Sequence, residues 1–347
     1  MKFWVNRLGQ AILIVWGIVS LLFLIFYAIG DPVSYLVDDK ADAATRAAVK
    51  ARYGLDQPLY VQYGRYLNQL SPVGVVDSNL QAEVPHLVLS GGETGFGLKA
   101  PYLGRSYRSR VPVAELIGDR LGGTILLALA AILIAAGLGL PLGVIAALRY
   151  GKPLDQAILS VSVLGVSAPS FFVGVLMAYW FAILGRDWTG LNLSGFVWED
   201  RIFEPGQRLV LKNLLLPALA LGVRPLAIFI QLTRSSLLDV LSLDYVRTAH
   251  AKGLPPRRVL IGHSLRNALN PVLTALTGWL ASLLAGAFFI EYIFNWQGLG
   301  KLIIDALLQN DIPVIIGGAM TVGLVFVGVS LLTDVLYAWL DPRVQLG

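Results

Sequence analysis

The 347-residue chain has no cysteine, which excludes disulfides and thiolate metal sites. Histidine occurs only at His86, His250 and His263, with no metal-ligand spacing. Charge is scarce: 14% of residues are Asp, Glu, Lys or Arg, where soluble globular chains carry roughly a quarter. A G-x-x-x-x-G-K-[ST] phosphate loop is also missing. Gly151-Lys152 and Gly300-Lys301 lack both the upstream glycine and the following hydroxyl residue. The chain is therefore expected to bind no ATP or other cofactor and to catalyse no reaction itself. Acids are almost missing from the apolar runs between residues 120 and 290. That argues against a self-contained, proton-coupled secondary transporter, which needs intramembrane acids.

What the chain has is apolar surface. Hydrophobic residues make up 56% of it and the mean hydropathy is +0.68. Six segments reach the roughly 20 residues that a spanning helix needs: about 9–29, 124–148, 157–184, 214–233, 272–293 and 313–339. Six spans exclude a single-span receptor. The first run, Leu8 to Ile29, is too long for a signal peptide, and Ala28-Ile-Gly-Asp31 is a poor cleavage site, so it reads as a retained transmembrane helix.

Short loops orient the spans. Lys2, Arg7, Arg149, Lys152, Arg343 and the six Lys/Arg of segment 234–270 all fall on one side. The opposite short loop, 294–312, has Lys301 against Asp305 and Asp311. The positive-inside rule then places both termini in the cytoplasm. Three regions follow: an N-terminal transmembrane helix (1–30), an external insertion (31–122) and a five-helix core (123–347) that contains the cytoplasmic loop 234–270.

Within the insertion, Asp42 to Tyr53 predicts a helix stopped by Gly54. Asp56 and Pro58 start another, with Tyr60, Tyr63, Tyr66, Leu67 and Leu70 at near-helical spacing, suited to an interface or to the core. The stretch 71–110 is rich in Gly, Ser and Pro and reads as loop. A second external stretch, 185–212, carries Trp188, Trp198 and Phe203 as interfacial aromatics or as contacts for an external partner.

The most informative segment is Asp244-Tyr-Val-Arg-Thr-Ala-His-Ala-Lys-Gly253, a polar helix between two long apolar runs. Tyr245, Thr248, Ala249 and Lys252 fall near one helical face. Ala249, Ala251 and Gly253 permit close backbone approach, and Pro255 and Pro256 stop the helix. Composition alone favours an ordinary basic cytoplasmic loop that obeys the positive-inside rule.

The segment resembles the coupling loop of type I ABC-importer permeases in its peptide-transporter form, where Arg-Thr-Ala stands for Glu-Ala-Ala, as Arg247-Thr248-Ala249 does here. Similar motifs run along the chain: Gly30-Asp-Pro-Val33, Tyr53-Gly-Leu-Asp-Gln-Pro-Leu-Tyr60, Pro112-Val-Ala-Glu-Leu116, Pro141-Leu-Gly-Val144 and Ala168-Pro-Ser-Phe171. Leu216-Pro-Ala-Leu219, Leu232-Thr-Arg-Ser235, Trp296-Gln-Gly-Leu-Gly300, Asp334-Val-Leu-Tyr337 and Leu340-Asp-Pro-Arg343 continue the series. The stretch 71–100 and Arg224-Pro225 depart from the pattern. In order and spacing, the chain resembles the dipeptide/oligopeptide permease family, B-type branch.

The resemblance implies an all-α membrane protein of six transmembrane helices with a large, partly helical external insertion. It implies a bacterial or archaeal cytoplasmic membrane location and a heterodimer with a second homologous permease. Two cytoplasmic ATPase subunits would bind the ATP, an external solute-binding protein would deliver cargo, and no nucleic acid is involved. Tyr245, Arg247, Thr248, Ala249, Lys252, Gly253 and Leu254 would couple to the ATPase. The cargo expected is a di- or oligopeptide; a nickel chelate, glutathione or another small solute fits the same signatures.

Three residues are pathway or gate candidates. Arg224 lies mid-span and should face protein or water, as a pathway charge or a structural pair. Glu291 and Trp296, at the outer end of the fifth span, suit an external gate or an interface anchor. Pro169, Pro217 and Pro225 should kink or interrupt the third and fourth spans.

Overall fold

A computed structural model describes residues 2–29, 33, 37, 42–76, 85–91, 95–200 and 207–340. The motif residues 30–32 and 341–343, and Phe203, lie outside the described residues. In chain order the elements are helices α1 (Lys2–Phe23), α2 (Ala43–Tyr53) and α3 (Leu59–Leu70), then strands β1 (Val73–Val76), β2 (His86–Gly91) and β3 (Gly95–Lys99). Helices α4 (Val113–Leu148), α5 (Pro153–Ser167) and α6 (Ser170–Met177) precede a two-stranded ribbon, β4 (Trp198–Asp200) and β5 (Gln207–Leu209). Then come α7 (Lys212–Leu241), α8 (Asp244–Ala251), α9 (Asn270–Gly286), α10 (Phe288–Ile293), α11 (Leu299–Leu308) and α12 (Ile312–Leu340). Between α8 and α9, Pro256–Arg258, Val259–Leu265 and Arg266–Ala268 form one continuous helical linker, π-wound in its middle part.

Among the described residues, four helices are long and apolar enough to cross a membrane, around Gly9–Phe26, Val113–Leu148, Lys212–Leu241 and Ile312–Val335. The third predicted span is broken: α5 and the helical stretch Ser170–Leu184 meet at 110°. Ala168 and Pro169 cause the break. The residue before a proline is driven out of the helical region, and both residues are extended, with ψ 133° and 135°. Pro217 and Pro225 behave otherwise, since α7 runs unbroken through both. The fifth predicted span divides at Ala287 into α9 and α10.

The chain separates into two compact units, residues 1–121 with 302–324 and residues 122–301 with 325–347. In the first, α2 is set by its ends. Asp42 accepts from Thr45 N, and those Thr45 bonds hold the Asp42 carboxyl below its ordinary range. Gly54 ends the helix at φ 65°. The Tyr-rich α3 packs on α1: Tyr63 Oη lies 2.6 Å from Ser20 Oγ, and the Phe23 ring meets Tyr63 and Tyr66 at 5.1 and 5.6 Å.

The expected loop at 71–110 is corrected. A three-stranded antiparallel sheet in the order β1-β3-β2 occupies much of it. Its glycines mimic loop composition but stand on the buried side of short strands, as at Gly74, Gly95 and Gly97. Asn68 of α3 donates to Val75 O and accepts from Val75 N, both at 2.8 Å, and a Cβ on Gly74 would lie 2.2 Å from its Oδ1. Lys99 donates to the last carbonyls of α3, at Asn68 and Gln69. Farther along the same unit, Asp311 accepts from Ser106 Oγ and from Tyr107 N, the latter at 3.0 Å.

The second unit has a large buried cluster of its own. Leu127, Ala131 and Ala135 of α4, Leu216, Leu221 and Phe229 of α7, and Val272 and Leu283 of α9 share one buried cluster. Helices α4 and α7 meet through glycine. A Cβ on Gly143 would lie 2.6 Å from Thr233 Cβ, and one on Gly222 would lie 2.9 Å from Ala131 O. Small residues permit such close approach in membrane helices.

Candidate functional site

The segment singled out by sequence folds as expected at both ends. Leu243 is extended (ψ 148°) and separates α7 from α8. Asp244 sits in the first turn of α8, where a carboxylate complements the helix dipole. At the far end Gly253 adopts φ 78°, and its N–H reaches His250 O at 2.9 Å. Pro255 is extended, and Pro256 starts the linker at its first helical position, where the missing N–H is not needed.

Two faces of α8 have separate tasks. Val246 and Ala249 are buried against Val259 of the linker, with Val240, Leu241 and Leu254 packed around them. Asp244, Arg247, Thr248 and Ala251 are exposed at i, i+3, i+4 and i+7. Tyr245 and Lys252 flank this face and are also exposed. Ala249 is thus corrected: it packs inside its own chain, and Ala251 is the small residue on the open face. Leu254 supplies the apolar contact that follows a left-handed helix end.

Tyr245 ties the segment together. Its hydroxyl donates to His263 O at 3.2 Å and accepts from Asn267 Nδ2 at 2.9 Å, joining α8 to the π-wound linker. Arg247 Nη1 lies 3.4 Å from Asp244 Oδ1, an exposed pair with both side chains largely in solvent, so it contributes little to stability.

Gly253 has open space around a Cβ, so its requirement is conformational. An L-residue in the left-handed region costs roughly 1–2 kcal/mol. Gly253→Ala is expected to weaken the end of α8 by about that amount, and Gly253→Asn by less. Hydrogen exchange of the α8 amides reads the order directly; equal protection in all three forms would refute it.

Just before this segment lies a pair that sequence reading missed. Asp155, at the start of α5, takes Arg234 Nε at 2.6 Å and Nη2 at 2.8 Å, and also Gly151 N at 2.9 Å. The guanidinium lies 5.2 Å from the Tyr150 ring centroid. Asp155 is 1% exposed. The α4–α5 turn is thereby fixed to α7 ten residues before α8 begins. Arg234 stands inside the recognised Leu232-Thr-Arg-Ser235 motif, which was the available signal.

Glu291 and Trp296 are fully buried. Glu291 Oε1 accepts from Thr124 Oγ1 at 2.7 Å and Oε2 accepts from Lys301 N at 2.9 Å. Thr124 Oγ1 accepts in turn from Leu299 N at 2.8 Å, and the Trp296 indole donates to Gly123 O at 2.9 Å. The carboxylate caps the start of α11. It also explains the glycines of the 296–300 motif: a Cβ on Gly298 would lie 2.4 Å from Glu291 Cδ, and one on Gly300 would lie 2.6 Å from Phe288 Cα. The geometry gives both residues a structural task at this turn. Arg224 lies apart from these clusters, exposed on α7.

Long apolar helices and a short polar helix packed on its own chain are the features of a membrane protein, and similarity to known proteins gives its class. The family model for the binding-protein-dependent transport system inner membrane component matches residues 139–346. The model for the N-terminal part of such membrane components matches residues 1–128. The chain is 35% identical over 363 residues to the dipeptide transport system permease protein DppB of Escherichia coli K12, covering 99% of each chain. It is 36% identical over 346 residues to the oligopeptide transport system permease protein AppB of Bacillus subtilis 168, covering 98% of each. The di/tripeptide transport system permease protein DppB of Pseudomonas aeruginosa UCBPP-PA14 is 36% identical, with 99% of each chain covered. Among solved structures, an inward-facing form of the MetNI methionine ABC transporter matches with a TM-score of 0.50 at 15% identity, over 65% of this chain and 97% of that one. The chain belongs to the family of binding-protein-dependent transport system inner membrane components.

Proposed function

We propose that the chain is the membrane-spanning permease subunit of an ATP-driven importer of di- or oligopeptides. It has six crossings, with the bent pair α5–α6 and the divided pair α9–α10 as the third and fifth, both termini in the cytoplasm and residues 31–122 outside. It pairs with a second, homologous permease, receives cargo from an external binding protein and is driven by two ATPase subunits. ATP binding by those subunits shifts the permease pair between inward- and outward-facing states. The observation that carries this reading is α8: its inner face is bolted to its own chain through Val246 and Ala249, and its outer face presents Asp244, Arg247, Thr248 and Ala251. A helix so braced transmits displacement at its outer face to α7 and the linker. Near-full-length similarity to dipeptide and oligopeptide permeases favours a peptide cargo over nickel chelates or glutathione.

The test is reconstitution of the purified complex in liposomes with the peptide-loaded binding protein. Arg247→Glu with Lys252→Glu is expected to lower stimulated ATP hydrolysis and uptake together by about tenfold, near 1.4 kcal/mol of lost docking energy, while membrane abundance holds. Uptake that persists without ATPase subunits would refute the reading.

A further inference from the structure

Helix α7 is the best covered of the spans, with 61% of its apolar window buried in the chain, against 33% for α4. One row with three polar residues runs along α7 from its middle to its cytoplasmic end. Arg224, Ile228, Gln231 and Ser235 follow at steps of four, three and four residues, a single helical face. Arg224 and Ser235 are exposed, and Ile228 and Gln231 are half-buried. No hydrogen bond or ion pair joins Arg224 to a described residue. Helix α4, by contrast, turns Ile125, Leu129, Leu133 and Leu138 outward, side chains that suit lipid tails. Helix α9 shares the core cluster with α7 and exposes a second polar row, Asn270, Thr274, Gly278 and Ser282. An arginine at mid-span faces water or protein, not hydrocarbon.

We propose that the α7 row is a wall of the water-filled pathway and that Arg224 holds the C-terminal carboxylate of a passing peptide. A guanidinium matches a carboxylate through two parallel, charge-assisted hydrogen bonds. Gln231 lies two turns along the same face and offers both a donor and an acceptor to the peptide backbone. The carboxylate role rests on the peptide-import reading above; the water-facing row does not.

The cysteine-free chain permits a direct test. Single cysteines replace Arg224, Gln231 or Ser235 in the assembled transporter, with Leu133→Cys as the lipid-side control. A charged, water-soluble maleimide is expected to label the row on the order of tenfold faster than Leu133→Cys, because the reactive thiolate needs a wet environment. If Arg224→Cys fails to reach the membrane, Gln231→Cys carries the result, since Ser235 stands at the cytoplasmic end of the helix and serves as the wet reference. Row labelling as slow as the control overturns the pathway assignment, as a lipid-facing row or a contact with the second permease would produce it. Separately, one peptide is supplied on the same binding protein as free acid and as C-terminal amide. Arg224→Gln is expected to slow the free acid by about tenfold, the worth of a charge-assisted hydrogen bond, and to leave the amide unchanged, with Arg224→Lys in between, since it keeps the charge and loses the two-bond fork. Equal slowing of acid and amide overturns the carboxylate role. Fast row labelling in a complex that imports no peptide overturns that role together with the cargo assignment, and keeps the wet row.

Discussion

Glu291→Ala is expected to destabilise the purified protein by about 2 kcal/mol or more, since one buried and one part-buried donor lose their acceptor and a buried orphan costs about 1–3 kcal/mol. The donors are the Thr124 hydroxyl and the Lys301 amide. The carboxylate that both donors meet is itself 0% exposed. Glu291→Gln should fall between, since its amide keeps one acceptor oxygen and turns an N–H₂ group toward a donor. Thermal unfolding in mild detergent measures the order of the three forms. Equal midpoints for wild type and Glu291→Ala would show that the turn is held by the Trp296 indole and the glycine packing alone. Gly300→Ala reports on the same turn by steric means, since its methyl group must displace backbone at Phe288.

The second large effect is expected at Asp155. Removing one partner of a buried ion pair costs about 3–5 kcal/mol, because the other charge remains buried and unpaired. The Arg234 side chain is 18% exposed, so partial hydration places Asp155→Ala near the lower end of that range. The Gly151 amide also loses its acceptor. Removing the charge as well, in Asp155→Ala with Arg234→Met, should recover more than half of the loss. A double-mutant cycle on detergent unfolding measures the coupling. Strict additivity of the two single variants would show that the pair does not act as a unit.

What could be read from sequence was local. The ends of α2 and α8 were legible because their signals lie within a few residues: Asp42 and Gly54 for one, Asp244 and Gly253 with the double proline for the other. The break at Pro169 was legible for the same reason. The remainder depends on distant partners. Thr124 and Glu291 stand 167 residues apart, and Asp155 and Arg234 stand 79 apart. A sequence shows that acids and bases exist but not which of them meet, so Glu291 read as a gate or an interface anchor with no sign of Thr124 or the Lys301 amide. The sheet at β1-β3-β2 was hidden because its pairing is long-range, as between Val73 and Leu98, and because Gly74, Gly95 and Gly97 among its buried positions resemble loop. Ala249 was placed on the wrong face because helical spacing fixes which residues share a side, but only Val259 behind them shows which side is covered.

The glycine contacts between α4 and α7 have a mechanical consequence. Gly143 and Gly222 bring backbone against the neighbouring helix with no side chain between, and Gly139 would place a Cβ 3.0 Å from Leu226 O. Contacts of this kind have no compliant layer. Sliding one helix along the other by a fraction of a turn drives Thr233 or Ala131 into main-chain atoms. The two helices therefore turn as one stiff spar. Flex around that spar falls where the backbone has already given up regular helix, as at Ala168-Pro169, Leu243 and Ala287.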